Sequence, residues 1–179
     1  MAAEVSANVY KPLDRTNYQK TFATWGVSGV KKIDALRKGA ALKAAQSSDC
    51  DKVWYSELSD SRSAPPENIV ILVECENAKR FFFNATDIQA GEAASSHQSK
   101  MKRVSDEQAQ VACEKSVRAS LEFPSSMSGR GKSVYRAPTG NIVVTFDFDS
   151  KNQTGAQLPY RARCVTDDRG QHPPEISGR

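Results

Sequence analysis

Two pairs of carboxylates are the first residues in this chain whose types and spacing suggest chemistry. Asp147 and Asp149, and likewise Glu74 and Glu76, alternate along extended stretches. Alternate strand residues share a face about 7 Å apart, a separation that a glycoside-cleaving carboxylate pair uses. A solvated sheet face carries the same pattern, and that is the expectation adopted. Ser128-Gly-Arg-Gly-Lys-Ser133 resembles half of a phosphate-binding loop, but the first glycine at the needed spacing and a strand directly before it are missing. It reads as a loop between a helix and a strand. Serine nucleophiles need a histidine base. The chain has only His97 and His172, both in polar stretches. No catalytic residue is therefore assigned, and the chain is expected not to be an enzyme.

Cysteine chemistry points elsewhere. Cys50, Cys75, Cys113 and Cys164 lie far apart, with no Cys-x-x-Cys pair and no nearby histidine. A zinc site normally includes closely spaced ligands, so no metal and no cofactor is expected. Disulfides are expected instead, and the elements around the cysteines select the pairing.

Those elements follow from periodicity. Thr16 caps a short helix carrying Tyr18, Phe22 and Trp25, which Gly26 and Gly29 interrupt. A second helix runs from Ser28 to Gln46, with Val30, Ile33, Leu36, Ala40 and Ala44 on one face and Arg37 among the polar or flanking residues. Lys52–Leu58 is rich in strand formers. Asn68–Glu76 alternates, with Ile69, Ile71, Val73 and Cys75 inward. Arg80–Asn84 holds three consecutive phenylalanines, which cannot share one face. Residues 89–104 are polar and small and read as a linker. Ser105-Asp-Glu-Gln is a capping box opening a helix with Ala109, Cys113, Val117 and Leu121 on one stripe. Pro124 ends it. A strand at 132–137 leads into an alternating one with Ile142, Val144, Phe146 and Phe148 inward. After a turn at Gly155, the return strand brings Tyr160, Ala162 and Cys164 to one face. The tail from Asp167 reads as irregular.

The fold class expected is α+β. It comprises two units, 14–88 and 105–166, each a helix on a three-stranded antiparallel sheet, separated by linker 89–104 and followed by tail 167–179. Pro66-Glu-Asn-Ile-Val-Ile-Leu-Val and Pro138-Thr-Gly-Asn-Ile-Val-Val-Thr-Phe match in their inward residues, which suggests an internal duplication. In such units Cys50 and Cys75 sit at facing strand ends, while Cys113 on the helix stripe faces Cys164 on the last strand. Two disulfides imply an oxidising compartment.

The stretch from Cys113 through Pro124-Ser125-Ser126 and Phe148-Asp149-Ser150-Lys151-Asn152-Gln153-Thr154-Gly155 to Cys164 resembles a module of uncharacterised bacterial envelope and secreted proteins. The resemblance covers about a third of the chain. It implies a compact α+β module, no known activity and often an N-terminal membrane anchor.

Net charge is +4, from 25 basic and 21 acidic residues that are well interleaved, which is a solvated surface rather than a nucleic-acid footprint. No apolar run is long enough to span a bilayer. The abrupt start suggests a mature chain whose signal or anchor has been removed. The expected function is a periplasmic or secreted binding module, with a protein or envelope polymer as partner. An inhibitor or immunity protein of a wall-degrading enzyme is one concrete form. Nucleic acid is not an expected partner, and membrane contact is expected only through a missing anchor. Candidate contact residues are Trp54, Tyr55, Phe82, Tyr135 and Arg161, because aromatic and arginine side chains dominate interface energetics. Two alternatives are a glycan-active enzyme using the strand carboxylates and a cytosolic anion or nucleic-acid binder. The latter would use Lys100, Lys102, Arg103, Arg130 and Lys132.

Overall fold

A computed structural model of the chain describes residues 2–179. It is an α+β protein made of two units, divided between His97 and Gln98.

The first unit opens with β1 (Glu4–Val5), a 3-10 turn at Ala7–Tyr10 and α1 (Gln19–Ala45). β2 (Lys52–Leu58), β3 (Ile71–Cys75), β4 (Arg80–Phe83) and α2 (Ala85–Gln89) follow. The sheet order is β1-β2-β3-β4. β2, β3 and β4 form an antiparallel meander, while β1 pairs parallel with β2 through Glu4↔Lys52 and Val5↔Val53. The sheet is thus four-stranded and mixed, and the N-terminal residues are part of it. Val9 and Leu13, in that same segment, are buried. Two residues are too short to show alternation, so periodicity does not reveal such a strand.

The break expected at Gly26 is present: Gly26 is non-helical (φ 64°, ψ 176°), a conformation glycine adopts freely, and it divides α1 into two helical runs. Gly29 stays helical. A Cβ there would lie 2.9 Å from the Trp25 Cβ, so the missing side chain makes room for Trp25 beside the kink. The helix begins after Tyr18 rather than Thr16. Asp14 organises the approach, accepting from the Thr16 N–H at 3.0 Å and the Asn17 N–H at 2.9 Å. The buried face of α1 runs through Val30, Ile33, Arg37, Ala40, Ala41 and Ala44. Arg37 therefore belongs to the core stripe, at 3 % exposure, and Leu36 is only half-buried.

Inward residues Val53, Ile71, Val73, Phe81 and Phe83 complete this core. Phe81 and Phe83 stack at 5.9 Å, and Phe82 points to the other face. Cys50–Cys75 bridges the approach to β2 and the end of β3, with Cα atoms 5.6 Å apart.

Just before the expected linker, α2 carries a capping box between Asn84 and Asp87. α3 (His97–Met101) follows, and Ser96 and His97 are buried. His97 meets Phe82 edge-on at 5.7 Å, so its place in a polar sequence did not signal exposure.

The second unit contains α4 (Asp106–Ala119), a 3-10 turn at Pro124–Ser126, and β5 (Ser128–Arg136). β6 (Ile142–Lys151), β7 (Gln157–Asp167), β8 (Gly170–Gln171) and β9 (Glu175–Gly178) follow. Ser105 and Gln108 form the capping box of α4, and Ala109, Cys113 and Val117 are buried beneath it. β5, β6, β7 and β8 are neighbours in that order, and β9 pairs with β7. Ile142, Val144, Phe146 and Phe148 are all 2 % exposed or less. Cys113–Cys164 ties α4 to β7, with Cα atoms 5.7 Å apart.

Two expectations for this unit are corrected. Ser128–Ser133 is strand, not loop: β5 starts at Ser128, and its register with β6 shifts between Arg130 and Ser133, where Gly131 takes φ 61°. The bulge interrupts the alternation by which a strand is recognised. The tail is not irregular either. It supplies β8 and β9, which add strands to β7 through Thr166↔Gln171 and Arg161↔Ser177. Each unit thus has a helix followed by an antiparallel meander, but the two disulfides join different kinds of element.

Candidate functional site

β2 carries the most exposed pair of large aromatic residues. Val53 pairs with Cys75 and Tyr55 with Glu74, so Trp54 is an extra residue in a bulge. In a regular strand one of two neighbours would turn inward. Here Trp54 and Tyr55 are both exposed, at 56 % and 43 %, while Val53 and Ser56 on either side are buried.

Buried groups hold β2 from beneath. Arg37 Nε donates to the Ser56 carbonyl at 2.6 Å, and Ser56 Oγ donates to the Arg37 carbonyl at 2.8 Å. The guanidinium also reaches Asp34 at 2.9 Å, Glu57 at 2.8 Å and the Lys11 carbonyl at 3.2 Å. Tyr18 Oη donates to Glu57 at 3.1 Å, and Asp34 accepts from the Leu13 N–H. Burial pushes the Glu57 carboxyl above its ordinary range, against the pull of Arg37. Burial likewise raises the Tyr18 and Tyr55 phenols. At the other end of the strand, Lys52 pairs with Glu76 at 3.0 Å. The bulge is therefore anchored on both sides, by this network and by the Cys50–Cys75 bridge.

Phe82 lies on the same sheet, where the register sets Glu57, Leu72 and Phe82 in one row and Tyr55, Glu74 and Arg80 in the next. It is half-buried, with the Arg62 guanidinium 3.4 Å from its ring centroid. Its ring face is thus already covered. The first unit also has a cleft of about 540 Å³ lined by Leu36, Ile69 and Ala85, with the Lys32–Glu67 ion pair among its lining residues.

Tyr135 and Arg161 belong to the second unit. Tyr135 is 59 % exposed on β5, in a row with Val143 and Val165. Arg161 is paired: its Nε donates to Asp147 at 2.8 Å, and Arg179 reaches the same carboxylate at 2.6 Å. The hydrogen bond from Arg161 leads in holding Asp147 below the usual carboxylate range. Arg130 forms the ion pair with Asp149. The two strand carboxylates are thus ion-pair partners of arginines. Of the cations considered for anion binding, Lys132 pairs with Glu114 and Lys100 with Asp168 at 3.8 Å.

Two clusters escaped the sequence reading. One is the Arg37 network, whose only signal was an arginine at i+4 from Ile33 on the apolar stripe. The other surrounds Asp167, 5 % exposed, which accepts from Arg169 at 2.9 Å and stands 2.9 Å from His172 Nε2. Burial alone would raise the Asp167 carboxyl, but the bonds from Arg169 and His172 outweigh it and the net shift is downward. Among the described residues, no group of three or more histidine, cysteine or acidic side chains is arranged to hold a metal ion.

Comparison of the chain with known protein families, curated proteins and solved structures found no match. Two disulfides fit an oxidising, extracytoplasmic compartment. Among the described residues no helix is long and apolar enough to cross a membrane.

Proposed function

We propose that this protein is a non-enzymatic binding module of the bacterial envelope or of secretion, with a protein as its partner. The observation that carries the reading is the β2 bulge, which turns Trp54 and Tyr55 outward together on a strand braced by a disulfide and a buried ion network. Large rigid aromatics on a fixed backbone lose little entropy on binding, and such residues are the usual anchors of protein interfaces. An inhibitor or immunity-type partner of a cell-wall enzyme is the concrete form of the proposal, in keeping with the resemblance of the second unit to envelope modules.

The test is recovery of partners from a bacterial envelope extract on immobilised wild-type protein and on the Trp54→Ala/Tyr55→Ala variant. A wall-degrading enzyme retained by the first and lost by the second supports the reading. Equal retention by both, or recovery of no wall enzyme, refutes it.

The glycan-active alternative is less well supported. Asp147 is held ionised by Arg161 and Arg179, which suits a structural carboxylate and opposes a general acid. Glycan turnover by the wild type that disappears in Asp147→Asn/Asp149→Asn would reverse that ranking.

A further inference from the structure

We infer that the free edge of β5 is a docking site for an extended acidic segment of a partner protein, which adds to the second sheet as a further strand. This surface lies in the second unit and stands independently of Trp54 and Tyr55.

The register of the β5–β6 hairpin shows which backbone groups are available. The Ala137 N–H donates to the Asn141 carbonyl at 2.9 Å, and from there Tyr135 faces Val143 and Ser133 faces Thr145. Bonded and non-bonded pairs alternate along an antiparallel ladder. Ser133 and Tyr135 therefore turn their N–H and C=O groups toward β6. Val134 and Arg136 turn theirs away from the sheet. The far side of β6 agrees: the Asn152 N–H donates to the Ala156 carbonyl at 3.0 Å, which directs even-numbered residues of β6 to β7 and leaves odd-numbered ones for β5.

No strand of the described residues lies beyond β5, and eight of its nine residues are exposed. The contrast with β7 is informative. Its outer flank is covered near both ends, by β8 and by β9. The chain's own tail thus closes one edge of this sheet and leaves the other open. The bulge at Gly131 limits regular pairing to the stretch from Ser133 onward, where Val134 and Arg136 offer two donors and two acceptors.

Side chains specify the occupant. β5 carries Arg130, Lys132 and Arg136 and no acidic residue. Lys132 reaches Glu114, and Arg136 reaches Asp106 at 2.6 Å, both on α4, so these two cations lie on the helix side of the sheet. Both are substantially exposed, at 41 % each; the Lys132 pair can exchange partners at little cost, while Arg136, held also by the Met101 and Val104 carbonyls at 3.3 and 2.8 Å, stays in place and contributes its positive charge. On the opposite face, Tyr135 ends the row Tyr135–Val143–Val165. An added strand alternates its side chains between the faces. A segment with acids on the helix side and apolar residues beside Tyr135 satisfies both. A second copy of β5 would set cation against cation, which opposes self-pairing.

The probe is a blocked heptapeptide alternating glutamate and valine, added to full-length isotopically labelled protein while amide exchange is followed residue by residue. Exchange at Val134 and Arg136 should slow by about tenfold or more, with Ser133 and Tyr135 unchanged because they are already bonded. Binding should weaken with salt, and Lys132→Glu should lower the affinity by about tenfold. Three results would overturn the proposal: no binding at millimolar peptide, equal binding of a lysine–valine peptide, or binding without slowed exchange at Val134 and Arg136. Protection of those two amides without peptide in a protein that sediments as a dimer would also overturn it, by naming a second copy as the occupant.

Discussion

Replacing Arg37 by methionine should unfold the first unit far more readily than its position on a lysine-rich helix suggests. Methionine keeps the apolar stem and removes the charge. The guanidinium is 4 % exposed and touches Asp34 at 2.9 Å and Glu57 at 2.8 Å, whose side chains are 18 % and 13 % exposed. Without it, two half-buried carboxylates lose their cation, and the Ser56 and Lys11 carbonyls lose a donor. Removing one partner of a buried ion pair costs about 3–5 kcal/mol, a large fraction of a small domain's stability of roughly 5–15 kcal/mol. Both tryptophans, Trp25 and Trp54, belong to the first unit, so urea unfolding followed by tryptophan fluorescence reports that unit selectively. With a slope of about 1.5 kcal/mol per molar, the midpoint should fall by roughly 2–3 M. The effect should depend on pH in one direction. Glu57 already titrates above its ordinary value in the folded state, so its contribution to stability declines as pH rises through that window. Losing Arg37 raises the carboxyl further, so the penalty should be largest where both carboxylates are ionised and shrink as pH falls through the raised Glu57 titration. Adding Asp34→Asn and Glu57→Gln should recover much of the loss. A penalty below about 1 kcal/mol, or one that does not change with pH, would refute this account of the network.

Other expectations are simpler to test. Mass spectrometry of protein isolated without reductant should find Cys50–Cys75 and Cys113–Cys164. By loop entropy, breaking them should cost about 3.5 and 4 kcal/mol for separations of 25 and 51 residues, measured as a shift in urea midpoint on reduction. Ser105→Ala should lose about 1 kcal/mol by removing the cap on the Gln108 N–H, and Ser105→Asp should restore it. Asp167 has a depressed folded-state titration, so it contributes stability above its ordinary carboxylate range that is lost as pH falls through the depressed value. Asp167→Asn should therefore flatten the acid limb of the stability profile; an unchanged limb would contradict that role.

Much of the fold could be read where one face is apolar and the period is unbroken. Ile142 to Phe148 alternate without interruption, and the capping box at Ser105 marks the start of α4. The cysteine pairing followed from those placements. What escaped has physical causes. β1 and β8 have two residues each and carry no periodic signal. Gly131 and Trp54 sit in bulges, which destroy alternation at the points where β5 and β2 matter most. Arg37 carries a charge that argues for the polar side, although its spacing from Ile33 and Ala40 puts it inside. His97 lies among serines and glutamine, and only the three-dimensional position of Phe82 explains why it is buried. Residue type alone points to Trp54, Tyr55 and Tyr135, and all three are exposed. That Phe82 is covered by Arg62 and Arg161 is engaged by Asp147 depends on neighbours distant in sequence.

The two disulfides also decide how the chain would answer a mechanical pull. Tension applied at the termini bypasses everything inside a covalent loop. β2 and most of β3 lie between Cys50 and Cys75, and β5, β6 and most of β7 lie between Cys113 and Cys164. Peptide steps numbering 25 and 51, at about 3.6 Å each, keep roughly 270 Å of contour length from being paid out. Stretching would peel away β1, α1, β4 and the tail strands, while the bulge bearing Trp54 and the open edge of β5 remain within loops that cannot lengthen. A reductant would release that hidden length.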